Sequence, residues 1–216
     1  MPLNEAKSTK PAQTSPTAEA KPTAPPKNTA IQQADALADK YDAIPFDDSR
    51  VLKYGESPGW ETLRRQADPV TDINDDLRAL IAEMQDIMYK AHGVGLAAPQ
   101  IGRSVRLLTY DAGNGFRALL NPEITKRKGE QFAPEEGCLS IPGLRGVVKR
   151  ANEIVVKAQE ADGKPVQFKA REFEARILQH EIDHLNGVLF IDVADPETLH
   201  MLTPAEDRAE TAAPKE

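Results

Sequence analysis

The chain has 216 residues, a formal net charge of −7 and 40% hydrophobic residues, which fits one folded domain with additional sequence of low complexity. Its apolar runs all fall well short of the roughly 18 residues of a membrane span, and the N-terminus lacks the apolar stretch of a secretory signal. We therefore expect a soluble protein retained inside the cell, with no membrane partner. The acidic balance argues against a direct nucleic-acid site as its main function, because phosphate neutralisation needs clustered Lys and Arg and no such cluster stands out.

The N-terminal part of the chain differs in composition from the rest. Residues 1–30 contain six Pro, six Ala and five Thr but no aromatic residue, which is too little apolar surface to offset chain entropy. We predict a disordered Pro/Ala/Thr-rich extension over 1–47, a folded domain over 48–195 and a flexible acidic tail over 196–216. A transit peptide is the alternative for the extension, but such peptides are Arg-rich and the first Arg is Arg50.

Apolar periodicity predicts two helices. From Thr71 to Gly93 apolar residues recur at helical spacing, which indicates an amphipathic helix of about five turns. A second helix is expected from about Ala170 to Leu185, closed by Asn186 and Gly187. The apolar stripe of the first helix consists of Ile73, Leu77, Leu80, Ile81, Met84, Ile87 and Met88.

Short strand-like runs lie between the two helices. They are separated by the turn signals Gly113-Asn114-Gly115 and Asp162-Gly163, and short strands joined by tight turns favour antiparallel pairing. The chain is therefore predicted to be an α+β protein. The segment Gly93 to Gln100 is predicted to be a helix C-cap followed by a turn, since it lacks the Lys of a phosphate loop. The expected strands are Val105 to Tyr110, Arg117 to Leu120, Ile154 to Ala158 and Val166 to Phe168.

The second predicted helix carries the pattern H-E-x-x-H at His180 to His184. This spacing puts two imidazoles one turn apart on one face, close enough to share a metal ion, with Glu181 beside them as a base. Phe173 and Ile177 precede His180 on the same face, so we expect the histidines to continue an apolar stripe into the interior. The alternative is a pair of surface histidines on a charged helix.

A third metal ligand has to come from outside this helix. The zinc-protease pattern H-E-x-x-H-x-x-G-x-x-H is matched through Gly187, but Phe190 stands where its last His should be. Downstream donors are available in principle, although Pro196 breaks any helix that would present them. These downstream donors are Asp192, Asp195, Glu197 and His200.

The single cysteine, Cys138, is a better third donor. A lone cysteine cannot form an intramolecular disulfide and is more often a small buried hydrophobe than a ligand. Together with His180 and His184, however, it would give three protein donors and an open fourth position, which is the arrangement of a catalytic metal site. Two imidazoles and a thiolate would accept Zn, Fe, Ni or Co.

Three segments in order carry a specific resemblance. G-x-G-L-A-A-P-Q at Gly93–Gln100, E-G-C-L-S at Glu136–Ser140 and Q-H-E-x-D-H at Gln179–His184 resemble the signature motifs of the peptide deformylases. The resemblance extends over about Arg64 to Asp192, including the D-G-K-P hairpin at Asp162. It implies an α+β fold in which antiparallel sheets pack around a central metal-binding helix that carries H-E-x-x-H.

The resemblance also implies an activity, a cofactor and roles for individual residues. The family removes the formyl group from N-formylmethionyl nascent peptides, with one divalent metal, most often Fe2+, whose bound water becomes the nucleophile. A transient ribosome contact and a bacterial cytoplasmic setting follow from the substrate. The implied metal ligands are Cys138, His180 and His184. The implied catalytic residues are Glu181 as general acid and base, and Gln100 and the Leu139 N–H as oxyanion donors. The implied substrate-binding residues are Val94, Gly95 and Arg145.

Two other functions compete with deformylation. A zinc peptidase that cleaves ordinary peptide bonds would need the downstream third ligand that Phe190 replaces. A degenerate relative that binds metal or a nascent chain without catalysis would be expected to lack Glu181, Gln100 or a ligand, and all of these are present.

Overall fold

The computed structural model describes residues 48–131 and 135–203. The predicted extension over 1–47 and residues 204–216 of the predicted tail lie outside the described residues. Within the described ranges the chain forms two α-helices, eight β-strands and several short 3-10 turns. The helices are α1 (Asp75–Lys90) and α2 (Glu172–Leu185); the strands are β1 (Gly95–Ala97), β2 (Leu107–Tyr110), β3 (Arg117–Lys128), β4 (Glu136–Cys138), β5 (Ile141–Gly146), β6 (Glu153–Glu160), β7 (Pro165–Arg171) and β8 (His200–Met201).

Helix α1 is the amphipathic helix predicted from the apolar stripe, but it begins four residues after Thr71. Its start is fixed by Asn74, whose side-chain oxygen accepts a hydrogen bond from the Leu77 N–H at 2.9 Å, because an N-cap acceptor satisfies one of the free donors of the first turn. The helix ends at Lys90, just before Gly93. Its buried face consists of Leu77, Ile81, Met84, Ile87 and Met88.

The strands form two antiparallel sheets, as predicted. One sheet has five strands in the order β1-β2-β3-β6-β7, and the other has three strands in the order β4-β5-β8. The predicted Asp162-Gly163 turn joins β6 to β7, and Gly163 has a φ of 86°, a conformation that favours glycine. Together with the two helices, these sheets confirm the predicted α+β class.

The apolar residues gather on both sides of the five-stranded sheet and beneath the smaller one. Helix α2 packs on the first sheet through Leu178, Ile182 and Leu185, while α1 and β2 contribute to a second cluster. A third cluster holds Leu144, Phe190 and the Cys138 side chain. The metal-ligand candidates therefore lie where the first and third clusters meet.

Three expectations from the sequence were wrong. Phe173 is 47% exposed, because it lies in the first turn of α2 and the buried residues of this helix begin at Ala175. Of the two residues predicted to form an apolar stripe before His180, only Ile177 is buried. Gly95–Ala97 form a strand rather than part of a turn. Residues 196–203 of the predicted tail are structured, since β8 pairs with β5 and Met201 is buried.

Over residues 48–131 and 135–203, no helix has both the length and the apolar composition of a membrane span.

Candidate metal centre and active site

Helix α2 and the end of strand β4 bring three donors together. The Cys138 Sγ and the His184 Nε2 lie 3.2 Å apart, and one donor atom from each of Cys138, His180 and His184 lies within 4.8 Å of the others. His184 lies four residues after His180, one helical turn along the same face. The two rings are arranged edge to face, with centroids 4.9 Å apart. The three predicted metal ligands thus converge in space.

The chemistry of this cluster fits a divalent metal ion. Burial raises the pKa of the Cys138 thiol, but the neighbouring His184 and His180 outweigh burial and hold that pKa well below its usual value, so the thiolate is favoured, the form that ligates metals. The buried His184 Nδ1 has no hydrogen-bond partner among the described residues. Three convergent donors are the number that catalytic zinc-type sites use.

The downstream residues that were possible donors in principle do not join the cluster. Asp192 pairs with Arg64, and Asp195 caps the 3-10 turn that starts at Pro196. Phe190 is buried and its ring stacks on His180 with centroids 6.3 Å apart. The position at which the zinc-protease pattern has its last histidine is therefore part of the wall of this site and supplies no ligand.

Glu181 lies beside the three donors in a buried position. It is 5% exposed, and its Oε2 has no hydrogen-bond partner among the residues that the structure describes. Burial raises the pKa of Glu181 to about 7, against the opposing influence of His180 and His184. A carboxyl group with a pKa near neutrality can both accept and donate a proton.

Strand β1 approaches Glu181 so closely that only glycine fits. A Cβ added at Gly95 would lie 2.3 Å from the Glu181 Oε1, which is far inside contact distance. Gly95 therefore allows the carboxylate to lie against the strand. Val94 has a different setting, since its side chain packs partly buried on the core and its carbonyl accepts the Asp111 N–H at 3.0 Å.

We expect Gly95→Ala to lower formate release from N-formylmethionyl peptides by roughly a hundredfold, because the added methyl group forces the Glu181 carboxylate out of position. Metal content should stay unchanged, since the three ligands are not displaced. Gly163→Ala is the matched control: its Cβ would crowd the Ile73 Cδ1 at 2.6 Å in the turn between β6 and β7, outside the candidate site, so stability should fall while turnover is retained. Full activity in Gly95→Ala would show that the close approach is unimportant.

The Gln100 side chain is oriented by a hydrogen bond from the backbone of a nearby residue. Its Oε1 accepts the Ala97 N–H at 2.8 Å, which leaves the amide Nε2 facing the Cys138 Sγ at 3.5 Å and the Ser140 Oγ at 3.4 Å. Gln100 is 2% exposed. A buried donor held in one orientation beside the cluster suits a group that stabilises developing negative charge.

The hairpin of β4 and β5 holds two further predicted residues. Leu139 follows Cys138 directly in the turn that connects the two strands. The Arg145 guanidinium lies on Gly137, where an added Cβ would come within 1.9 Å of its Nη1. Gly137 therefore allows Arg145 to reach the rim of the cluster.

The structure also reveals a supporting network that the sequence analysis missed. The Glu136 carboxylate accepts a hydrogen bond from the His180 Nδ1 at 3.0 Å. It accepts two more from Nε and Nη2 of Arg150, each at 2.8 Å. Arg150 also pairs with Asp183. Burial raises the pKa of Glu136, but its hydrogen bonds to Arg150 and His180 lower it to about 2. A carboxylate that holds one imidazole nitrogen fixes the orientation of the other toward a metal.

We expect Glu136→Gln to weaken metal binding by roughly ten- to a hundredfold, because the amide cannot hold His180 as a carboxylate does. Metal affinity measured by competition with a chelator gives the answer directly. Glu135→Gln is the matched control, since Glu135 lies 43% exposed beside His200 and supports no ligand. Equal metal affinity in the two variants would exclude a supporting role for Glu136.

Comparison with known proteins agrees with this geometry. The family model described as polypeptide deformylase matches residues 49–200. The chain belongs to the polypeptide deformylase family. A peptide deformylase of Thermoanaerobacter pseudethanolicus is 48% identical over 143 residues, which cover 66% of this chain and 89% of that protein.

Solved structures show the same relationship. The crystal structure of the peptide deformylase of Thermotoga maritima matches with a TM-score of 0.64 and 42% identity, covering 68% of this chain and 97% of that one. The enzyme of Synechococcus elongatus, solved in complex with actinonin, matches with a TM-score of 0.64 and 39% identity, covering 74% and 84% of the two chains. The fold and activity implied by the three motifs are thus confirmed: the enzyme is a hydrolase that removes the N-terminal formyl group from nascent peptides.

Proposed function

We propose that this deformylase hydrolyses the formyl amide at the cluster of Cys138, His180 and His184, with Glu181 moving the protons. The observation that carries the proposal is the buried Glu181 carboxylate, with one oxygen lacking a partner among the described residues, beside three converging donors. Cys138, His180 and His184 would hold a divalent metal, which when bound supplies an activated water and polarises the formyl carbonyl.

The residues around the cluster have separate tasks in this proposal. Glu181 takes a proton from the attacking water and delivers it to the departing methionine amine. The Gln100 Nε2 and the Leu139 N–H stabilise the negative charge on the former carbonyl oxygen. Formate and a free N-terminal methionine are the products.

Substrate binding is proposed for the two rims of the cluster. Val94 and Gly95 on one side would line the methionine pocket and hydrogen-bond the substrate backbone, and Arg145 on the other side would contact the peptide. The Arg145 guanidinium lies against Gly137, one residue before Cys138, so a chain entering the site passes within its reach.

Ferrous iron is the proposed native metal. The donor set also accepts zinc, nickel or cobalt. With iron bound beside a thiolate, oxygen has two oxidisable partners at one site. We therefore expect activity to decay faster in air than under anaerobic conditions, when followed by formate release over time. Equal decay rates under the two conditions would argue against iron.

A transient ribosome contact and a bacterial cytoplasmic location remain proposals. Three consecutive basic residues, Lys126, Arg127 and Lys128, are exposed at the end of β3, and Lys126 lies across Val155 from Lys169 on β7. Exposed cations of this kind can contact the phosphates of ribosomal RNA, although Lys169 also pairs with Glu153. The similar peptide deformylase of Thermoanaerobacter pseudethanolicus is bacterial, which supports the proposed location.

Formate release from an N-formylmethionyl tripeptide tests the proposed function, with protein purified without oxygen. The same tripeptide with an acetyl group in place of formyl and an unblocked peptide serve as controls. We expect formate from the first and no peptide-bond cleavage in any of the three. Cleavage of internal peptide bonds would indicate a peptidase, and silence with metal bound would indicate a binding protein that has lost catalysis.

A further inference from the structure

A short segment before the first 3-10 turn connects the two loops that carry the proposed oxyanion donors. We call residues 51–54 the N-terminal strap. The Leu52 N–H donates to the Gln100 carbonyl at 2.7 Å, and the Tyr54 N–H donates to the Ser140 carbonyl at 2.9 Å. Gln100 and Ser140 lie 40 residues apart in the chain. The strap therefore fixes the backbone on both sides of the cluster at once.

Between these two backbone contacts the strap adds a charged one. The Lys53 Nζ donates a hydrogen bond to the Leu139 carbonyl oxygen at 3.1 Å, across 86 residues of sequence. Lys53 is partly buried, and a hydrogen bond from an ammonium group is stronger than one between neutral groups. The carbonyls of Leu139 and Ser140 are thus both held by the strap, which defines the conformation of the turn after Cys138.

We propose that Lys53 is a positioning residue for the oxyanion site, acting through Leu139. The Leu139 carbonyl lies in the peptide plane after its Cα and the Leu139 N–H in the plane before it, so the two are linked through the φ and ψ dihedrals of Leu139. A cation that holds the carbonyl restricts these dihedrals and thereby the direction of the N–H. The Leu139 carbonyl oxygen that Lys53 contacts is neither a proposed metal ligand nor a reacting atom. This inference rests on the proposed function, because the Leu139 N–H has a catalytic task only there.

The role of Lys53 is tested with two variants and a control. Lys53→Met retains the aliphatic stem and removes the donor, whereas Lys53→Arg retains a cationic donor. We expect Lys53→Met to lower kcat by roughly tenfold with KM unchanged, because a misdirected donor weakens transition-state stabilisation without affecting substrate binding. Lys53→Arg should recover most of the loss. Lys164→Met, an exposed change in the β6–β7 turn, should leave both constants at the parent values.

Two spectroscopic readouts separate positioning from general damage. The chain has one tryptophan, Trp60, whose ring packs edge-on against Tyr54 with centroids 5.0 Å apart, so its fluorescence reports whether the strap stays docked. We expect unchanged Trp60 emission in Lys53→Met but faster hydrogen exchange at the Leu139 amide. A rise in KM alone, equal losses in the Met and Arg variants, or a shifted Trp60 emission would overturn the proposal.

The amide measurement also keeps this inference separate from the proposed function. If the parent enzyme releases no formate from formylated peptides, the proposed function is wrong. Hydrogen exchange at the Leu139 amide would still decide whether Lys53 orders the turn. Unchanged exchange in Lys53→Met would then overturn the positioning role, and faster exchange would support it.

Discussion

Glu181→Gln is expected to abolish most deformylation while leaving the fold and the metal in place. The side chain keeps its shape but cannot take a proton from water, and loss of a general acid and base typically costs on the order of a thousandfold in turnover. Glu181 is not one of the three convergent donors, so metal content should match that of the parent. Formate release, measured with metal analysis on the same samples, checks both expectations.

A neighbouring acid provides the control for this change. Asp183 lies on the same helix and pairs with Arg150, so Asp183→Asn removes a carboxylate of similar position without touching the proposed base. We expect a much smaller loss of turnover there. Near-parental activity in Glu181→Gln, with metal present, would mean that another group transfers the protons.

Removing the metal is expected to produce the second large effect. After treatment with a strong chelator, formate release should fall to background and return when Fe2+ or another divalent ion is added, because without a metal the pKa of the water that Glu181 must deprotonate stays high. The metal should also stabilise the fold by about 3 kcal/mol at a free concentration a hundred times its Kd. The metal-free protein should therefore unfold at a lower temperature.

Substitution of a ligand should mimic this result. His184 is buried beside the Cys138 thiol, and His184→Ala removes one of three donors, so metal should be lost even without a chelator. The matched control is His200→Ala, because His200 is half-exposed next to Glu135 and outside the cluster. Full turnover by protein shown to be metal-free would refute a metal-dependent mechanism.

The helical elements and the convergence of Cys138, His180 and His184 are the parts of this structure that the sequence predicts well. The stripe from Leu77 to Met88 forms the buried face of α1, since five buried positions at helical spacing leave little ambiguity. His180 and His184 share a helix face for the same reason. Cys138 is identified by its local motif and by the absence of a better third donor.

The short strands and the supporting network are harder to predict. Strands β1 and β4 have three residues each, too few for any alternation to appear. Glu136 lies two residues before Cys138, and strand alternation could have placed both side chains on one face. No local signal points to its partner Arg150, because that ion pair depends on the packing of distant segments.

The strap contact has no local signal either. The hydrogen bond from Lys53 to Leu139 spans 86 residues, so neighbouring residues do not indicate it. The exposure of Phe173 similarly depends on which turns of α2 are covered by other elements. Such features depend on tertiary packing, which periodicity within a single segment does not encode.

The separation of the ligands along the chain has a consequence for biosynthesis. Cys138 precedes its partner His184 by 46 residues, and a chain leaves the ribosome N-terminus first. Until α2 is made and docks, the cysteine lacks the two imidazoles that favour its thiolate and stays an ordinary thiol with little affinity for metal. If these residues hold the metal as proposed, its capture is expected late in maturation, and the rate of metal uptake during refolding would report when α2 reaches its native position.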